Sequence, residues 1–452
     1  MLLNSLLKFV TPCRDRNRTR SLATSRLAVE PLEDRAVPAD LTVVMSGLDN
    51  PRGLAFGPEG ALYVAEAGRG GDGPSFEIRP GVIAKYGPTG AVSRLWHDEQ
   101  ARVATGLPSY IAPDGATGPH DISFQGRGNA YVTVGFGGNP TRRSELGEVG
   151  AGFAQLVRLT PNGNWQNVFD IGTNEATANP GGGPLDSNPY GLLAEAGGQV
   201  LTDAGGNVLL RIAANGTVST LAEFPSRDDG HLTDAVPTCV TRGPDGAYYV
   251  GQLTGVPFAA GTANIFRVVP GEAPEVVYTG FKTIIDIDFG PDGSLYVLQH
   301  ATGPFLSGNG ALIRVAPDGT RTTIASEGLV RPTSVLVGND GAVYVSNRGI
   351  SVGTGEVLRI TPTLDEAGAG GSIAPLSKIA LPPTPIDVVR ADSLPRFKAT
   401  KPDWSDGVEV SGDRAVAPMG SQLLHQNPPE VGLGDSPGAW PGEDDLYDPI
   451  VV

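Results

Sequence analysis

Residues 48–68, LDNPRGLAFGPEGALYVAEAG, read as two short strands joined by the tight turn Gly57-Pro58-Glu59-Gly60. Versions of this hairpin recur five more times. The first strands are PRGLAF (51–56), PHDISF (119–124), PYGLLA (189–194), PTCVTR (237–242), IIDIDF (284–289) and PTSVLV (332–337). The second strands begin ALYV, AYVT, QVLT, AYYV, SLYV and AVYV, with the β-branched and aromatic alternation of sheet. The turn glycines Gly57, Gly126, Gly197, Gly243, Gly290 and Gly338 are 69, 71, 46, 47 and 48 residues apart. A four-stranded unit repeating every 40–50 residues is the mark of a propeller blade.

The sequence therefore predicts an all-β chain, a six-bladed β-propeller of four-stranded blades, strands a to d. Each c strand carries a basic residue before an apolar one, at Lys85, Arg158, Arg211, Arg267, Arg314 and Arg359, a structural position that would pair with acidic neighbours or carbonyls. The sixth unit stops at its c strand, EVLRI (356–360), while an unmatched strand, LTVVM (41–45), precedes the first. Supplying the missing d strand from the N-terminus closes the ring and leaves no open edge. In such blades the a–b and c–d turns share one face, which here is plain. The insertions at 67–81, 135–152, 253–263 and 300–310, and at 97–118, 170–188 and 223–236, share the other. Function is expected on that elaborated face.

Composition agrees with many short strands: 63 Gly and 39 Pro in 452 residues disfavour long helices. The net charge of −16 excludes the basic footprint that nucleic acid or an anionic membrane requires, and no apolar run is long enough to span a bilayer. We expect three regions. Residues 1–39 form an export leader: VEPLEDRAVPA (29–39) resembles the LEPLEDR-x-VPA element of many planctomycete exported proteins, giving a mature start near Asp40 and an extracytoplasmic, periplasmic or secreted, location. Residues 40–362 are the propeller. Residues 363–452 read as a disordered, Pro-rich acidic tail; from 361 onward there are 13 prolines and 6 basic against 14 acidic side chains. Of the two cysteines, Cys13 lies in the leader, so Cys239 has no intrachain partner in the mature chain and reads as a small buried apolar residue.

Aligned on their first turn, the a strands place Arg52, His120, Tyr190, Thr238, Ile285 and Thr333 in one row, with Gly53, Asp121, Gly191, Cys239, Asp286 and Ser334 in the next. The b-strand ends give a third row, Glu66, Val134, Asp203, Gln252, Gln299 and Asn347. The ligand-binding candidates are accordingly Arg52, Glu66, His120, Asp121, Tyr190, Asp203, Gln252, Asp286, Gln299 and Asn347, gathered round the channel mouth on the elaborated face. Asp121, Asp203 and Asp286 supply the hard oxygen donors a divalent cation such as Ca²⁺ takes. Polar strand ends also cap backbone groups and meet water, which needs no ligand. His120 and Asp121, adjacent in sequence, should point to opposite sides of a strand. His97, His231 and His300 fall in the loop segments of the elaborated face. Asp228, Asp229 and Asp234 form an acidic loop. No P-loop, zinc spacing or G-x-S-x-G elbow is present, so catalytic residues are unassigned.

Residues 48–73, with GPHDISF, DSNPYGLL (186–193), DAGGN (203–207), GPDGAYYVGQLTGVPF (243–258) and TIIDIDFGPDGSLYVL (283–298), resemble the ScyD/ScyE family over about 41–360. That resemblance implies an exported propeller and brings no catalytic residues. VLTDAGGNVLLRI in the third unit is similar to an NHL repeat, used chiefly for protein or RNA binding. The lactonases of the SMP-30 type, also six-bladed, hold a divalent cation with Glu, Asn and Asp of the inner strands, where the a-strand rows here offer only Asp121 and Asp286. The leading reading is a monomeric binding or interaction module that takes a small molecule or a protein on its loop-rich face. The alternatives are a propeller hydrolase or oxidoreductase using a cation or cofactor at the channel mouth, and a structural envelope protein.

Overall fold

In a computed structural model of the chain, the described residues are 39–362 apart from Pro80, Asp114, Arg127 and 229–231; the leader and the tail lie outside them. Six antiparallel sheets form the blades of a β-propeller, as the repeats predict. Blade three is typical: Pro189–Glu195, Gly198–Asp203, Val208–Ala213 and Val218–Glu223, paired in that order. The a strands form the hub and the d strands the rim.

Blade six is completed by the chain's beginning. Ala39–Leu48 lies against Gly355–Pro362, with Leu41 opposite Ile360 and Val43 opposite Leu358. The apolar core divides into six clusters, one at each junction between blades. At the junction of blades six and one the buried members are Met45, Leu48, Leu54, Leu62, Val64 and Val357. Two of these six come from the closing strand, each worth about 2 kcal/mol when fully buried.

Blade one departs from the sequence reading. Its c strand is the second half of Val82–Trp96, not the segment around Lys85, and Gly87-Pro88-Thr89-Gly90 is a continuation of that strand rather than the c–d turn. The turn is His97-Asp98, both with positive φ (49° and 62°), between the paired Trp96 and Glu99. This is the two-residue hairpin whose twist suits antiparallel strands. His97 therefore sits on the plain face. Arg94, opposite Tyr63, holds the c-strand position filled elsewhere by Arg158, Arg267, Arg314 and Arg359, each opposite a b-strand tyrosine. In blades four and five the pairing expected for this position is present. Arg267 and Arg314 reach Asp245 and Asp292 of the a–b turns at 2.6 and 2.7 Å.

The displaced hairpin half runs on past the blade, pairing Lys85 with Ile111 and Tyr86 with Tyr110, and carries Ser75–Arg79 on its flank. Phe76, Tyr86 and Tyr110 then pack on Phe136 and Phe153 from the corresponding insertion of blade two, ring centroids 5.5–6.4 Å apart. The elaborated face is thus a packed cap over blades one and two. Deleting Leu41–Met45 should abolish the cooperative thermal transition or cause aggregation in differential scanning calorimetry, since it unpairs Gly355–Pro362 and opens the six–one core; an unchanged transition would refute closure by this strand.

Candidate functional site at the hub

Every a strand is the edge of its own sheet, so one side of its backbone faces the neighbouring blade rather than a strand. Five of the six also carry a register shift next to the first-row residue: between Pro51 and Leu54, Pro119 and Asp121, Pro189 and Leu192, Pro237 and Cys239, and Ile284 and Asp286. Bulges re-aim side chains and leave backbone groups unpaired. Their effect is that residues from both rows line one lumen: His120, Tyr190, Thr238, Ile285 and Thr333 with Gly53, Asp121, Gly191, Asp286 and Ser334. The alternation argument for His120 and Asp121 fails here for that reason. The two are neighbours on one wall.

Side chains of one blade satisfy the free backbone of the next. Leu192 N–H donates to Asp121 Oδ2 at 2.7 Å, and Val335 N–H to Asp286 Oδ2 at 2.9 Å, an oxygen that also accepts from Ser334 Oγ at 2.6 Å. Asp288, one turn of the pleat further down, accepts from Val337 N–H at 2.8 Å. Carbonyls are served likewise: His120 Nδ1 lies 3.0 Å from Pro189 O, Thr238 Oγ1 donates to Ile284 O at 2.9 Å, and Thr333 Oγ1 to Pro51 O at 2.7 Å. Gly53 must be glycine, because a Cβ there would stand 1.9 Å from Asp121 Oδ1.

The third row does not line the lumen. Glu66, Gln299 and Asn347 each accept from the backbone N–H seventeen residues earlier, of Asp49, Lys282 and Val330, at 2.7 Å in all three cases. Asp203 does the same for Asn188 at 2.6 Å, and Gln252 Nε2 donates to Ala235 O at 3.2 Å. These side chains hold the d–a loops onto their blades. Glu66 also binds Arg102 at 2.6 Å, and this guanidinium reaches Asp49 at 2.9 Å. The proposed cation set is therefore split: Asp121 and Asp286 line the lumen, while Asp203 is buried under a loop. Among the described residues no group of three or more His, Cys, Asp or Glu is placed to hold a metal ion. Of the other acids and histidines considered, His231 and Asp229 lie outside the described residues, His300 is buried with Nδ1 2.9 Å from Pro332 O, and Asp234 bonds Asn207 at 2.9 Å.

The lumen is closed where the sequence analysis placed its mouth. Arg52, His120, Tyr190, Thr238, Ile285 and Thr333 are all buried, whereas Asp121, Asp286, Ser123 and Asp288, nearer the plain face, are partly exposed. Solvent thus meets the lumen from the plain end, and the first row is its floor. The lumen leaves about 10 Å³ for the centre of a water-sized sphere, room for about one water molecule. Burial pushes His120 and His300 down to about 3, with Arg52 as a second cause for His120 and the Pro332 carbonyl opposing for His300, so both imidazoles are neutral. Burial raises Asp286 to about 7 against the hydrogen bonds it accepts, and raises Asp121 well above the usual carboxylate range, Asp286 adding to it.

Sequence reasoning missed Thr117, wholly buried next to Ala116, whose carbonyl Arg52 holds, and Asp288. The alternation in Ile285-Asp286-Ile287-Asp288 was the available sign of the latter, and Thr117 carries none.

No family model matches the sequence, and no curated protein matches it. Solved structures with a similar course include a virginiamycin B lyase from Staphylococcus aureus (14% identity, TM-score 0.40, covering 73% of this chain and 90% of that one). A gluconolactonase from Xanthomonas campestris has 11% identity and a TM-score of 0.44, covering 72% and 90%. A protein of unknown function from Bacteroides thetaiotaomicron has 9% identity and a TM-score of 0.45, covering 72% and 76%. Likenesses this slight carry no argument about activity.

The raised Asp286 makes stability depend on pH with a definite sign. Folded, it keeps its proton to about 7, while unfolded it loses it near 3.8, so between those values stability falls as pH rises and the fall ends above the folded value. The two histidines act in the opposite sense, but only below about 6.5, the unfolded imidazole value. From pH 6.5 to 8 the melting temperature should therefore drop, and Asp286→Asn should flatten that drop by roughly 1 kcal/mol of stability. Parallel slopes in the two proteins, read by circular dichroism, would contradict the assignment.

Proposed function

We propose that this protein is an exported propeller of the ScyD/ScyE kind that works as a binding module, its elaborated face forming the contact surface. The observation carrying this reading is where the exposed large apolar side chains fall. Among the described residues nine large apolar side chains are exposed: Val256, Phe305, Val330, Ile350 and Val352, 38–71% exposed, lie in the loops of that face on blades four to six, Ile83 lies on the cap built over blades one and two, and Val43, Val168 and Val276 lie on rim strands. The plain face ends in tight polar turns such as Gly243-Pro244-Asp245-Gly246 and Gly290-Pro291-Asp292-Gly293. Apolar side chains gathered on one end of a molecule suit a partner surface rather than water. The leader adds the location: a protein delivered outside the cytoplasm, where a partner of the envelope or the medium is at hand.

The reading favours binding over catalysis because the hub carboxylates and His120 are already committed to the backbone of the next blade. A photo-crosslinking residue placed at Phe305 should give a discrete adduct in cultures secreting the protein, and the same residue at Asp292 on the plain face should give none. Equal adducts from both positions, or adducts from Asp292 alone, would overturn it.

A further inference from the structure

Two of the stretches that carry the family resemblance, DSNPYGLL (186–193) and DAGGN (203–207), meet beside the helix Ile171–Ala178 in the loop between blades two and three, and they bring carboxylates together. A Cβ at Gly205 would stand 2.4 Å from Asp186 Oδ1, and one at Gly206 would stand 3.1 Å from Glu175 Oε2 and 3.4 Å from Asp203 Cγ. Glu175, Asp186 and Asp203 therefore crowd a single Gly-Gly step, and Asp234 is near enough for its charge to act on Asp186. Among the described residues no lysine or arginine pairs with any of the four.

Two of these acids are already occupied. Asp203 accepts from the N–H groups of Asn188 at 2.6 Å and Gly206 at 3.2 Å and from Ser187 Oγ at 2.7 Å, and Asp234 accepts from Asn207 Nδ2 at 2.9 Å. The other two are not. Glu175 is 1% exposed, yet its Oε1 has no partner, and neither has Asp186 Oδ1. A third oxygen in the same position belongs to Asn179, which follows Glu175 by one helical turn. Its Nδ2 donates to Gly183 O at 2.9 Å, which leaves Oδ1 for another partner.

The three waiting atoms are all acceptors. Water can donate to each of them, but it carries no charge, so the repulsion among Glu175, Asp186 and Asp203 stands. That repulsion is visible in the acids themselves. Burial first and Asp203 second push Glu175 up to about 7, and burial with the charges of Asp203, Asp234 and Glu175 raises Asp186 well above the usual carboxylate range. A cation relieves it without a proton, and carboxylate and amide oxygens are the donors that Ca²⁺ takes.

We infer that Glu175, Asn179 and Asp186 bind a calcium ion, through two carboxylates and one amide oxygen, with Asp203 behind them adding charge rather than a ligand. The set has two acidic members, short of the three that a purely acidic or histidine site needs, and it lies apart from the hub. Asp186 is partly exposed, so the ion enters from solvent and keeps water in its remaining positions. It takes the place of one water and needs no larger opening. Bound there, it ties the helix Ile171–Ala178 to the Gly205-Gly206 step of blade three. The site does not rest on the loop-face contact proposed above.

The test uses the purified full-length protein, stripped with EDTA and melted at pH 8, where Glu175 has lost its proton. Calcium chloride should raise the melting temperature saturably, and sodium chloride of equal ionic strength should not. Glu175→Gln removes one charge and gives the waiting oxygens an N–H₂ donor. In calcium-free buffer it should melt at or above the wild-type temperature, while its calcium affinity by isothermal titration calorimetry falls about tenfold or more. Asp292→Asn makes the same change of charge on the plain face and should bind calcium as the wild type does. No saturable shift with calcium, a shift matched by sodium, or a calcium affinity unchanged in Glu175→Gln would each overturn the site, leaving the three oxygens to protons and water.

Discussion

The structure depends on how each blade's innermost strand satisfies a backbone that no further strand can pair. A sheet of four strands has two edges; in this ring the outer edge meets solvent and the inner edge meets the next blade. Side chains from that neighbour do the pairing, as with Asp121 on Leu192, Asp286 on Val335, Thr238 on Ile284 and Thr333 on Pro51. The bonds are short-range and directional, so they set the angle between blades as the apolar clusters at the junctions cannot. They also explain why polar and even ionisable residues occupy the most buried part of an all-β protein: each is bonded to a group that would otherwise be orphaned.

The same constraint makes closure a special problem. Five junctions join blades that follow one another in the chain, while the sixth joins the two ends of the propeller. Here the protein uses three devices at once: the strand Ala39–Leu48 fills the rim of blade six, Met45 and Leu48 enter the six–one core, and Arg52 of blade one holds the carbonyl of Gly349 from blade six together with that of Ala116 from its own sheet. The Ser346 hydroxyl donates to Arg52 O at 2.6 Å and completes the joint. Arg52 is thus fixed by closure.

Much of this was legible in the sequence because repetition is a strong signal. The six a–b hairpins, the unmatched strand at 41–45 and the two rows of hub residues all follow from alignment of the chain with itself. Blade one misled for a physical reason: Gly87-Pro88-Thr89-Gly90 has the composition of a c–d turn but lies inside a strand, and a Cβ at Gly87 would stand 2.1 Å from Gly70 O, so its glycine serves a close approach of two chains. The b-strand row was visible, but its partners were not sought, although the constant seventeen-residue step from Glu66, Gln299 and Asn347 back to Asp49, Lys282 and Val330 was there to find. Which end of the lumen is open was beyond the pattern, since it depends on how tightly Arg52, His120 and Tyr190 pack together, and a linear alignment carries no such information.

The two ends of the molecule consequently differ in what they can do. The elaborated face offers area and apolar side chains; the plain face offers entry to a narrow polar lumen. Both rest on a ring closed at blade six, and native-state hydrogen exchange tests that closure most directly. The amides of Val357, Leu358 and Ile360, held between Val343–Asn347 and the N-terminal strand, should open only with those of Val200 and Leu201 in blade three, at the same free energy. Exchange of the blade-six amides through a separate, less costly opening would contradict a ring closed by its N-terminal strand.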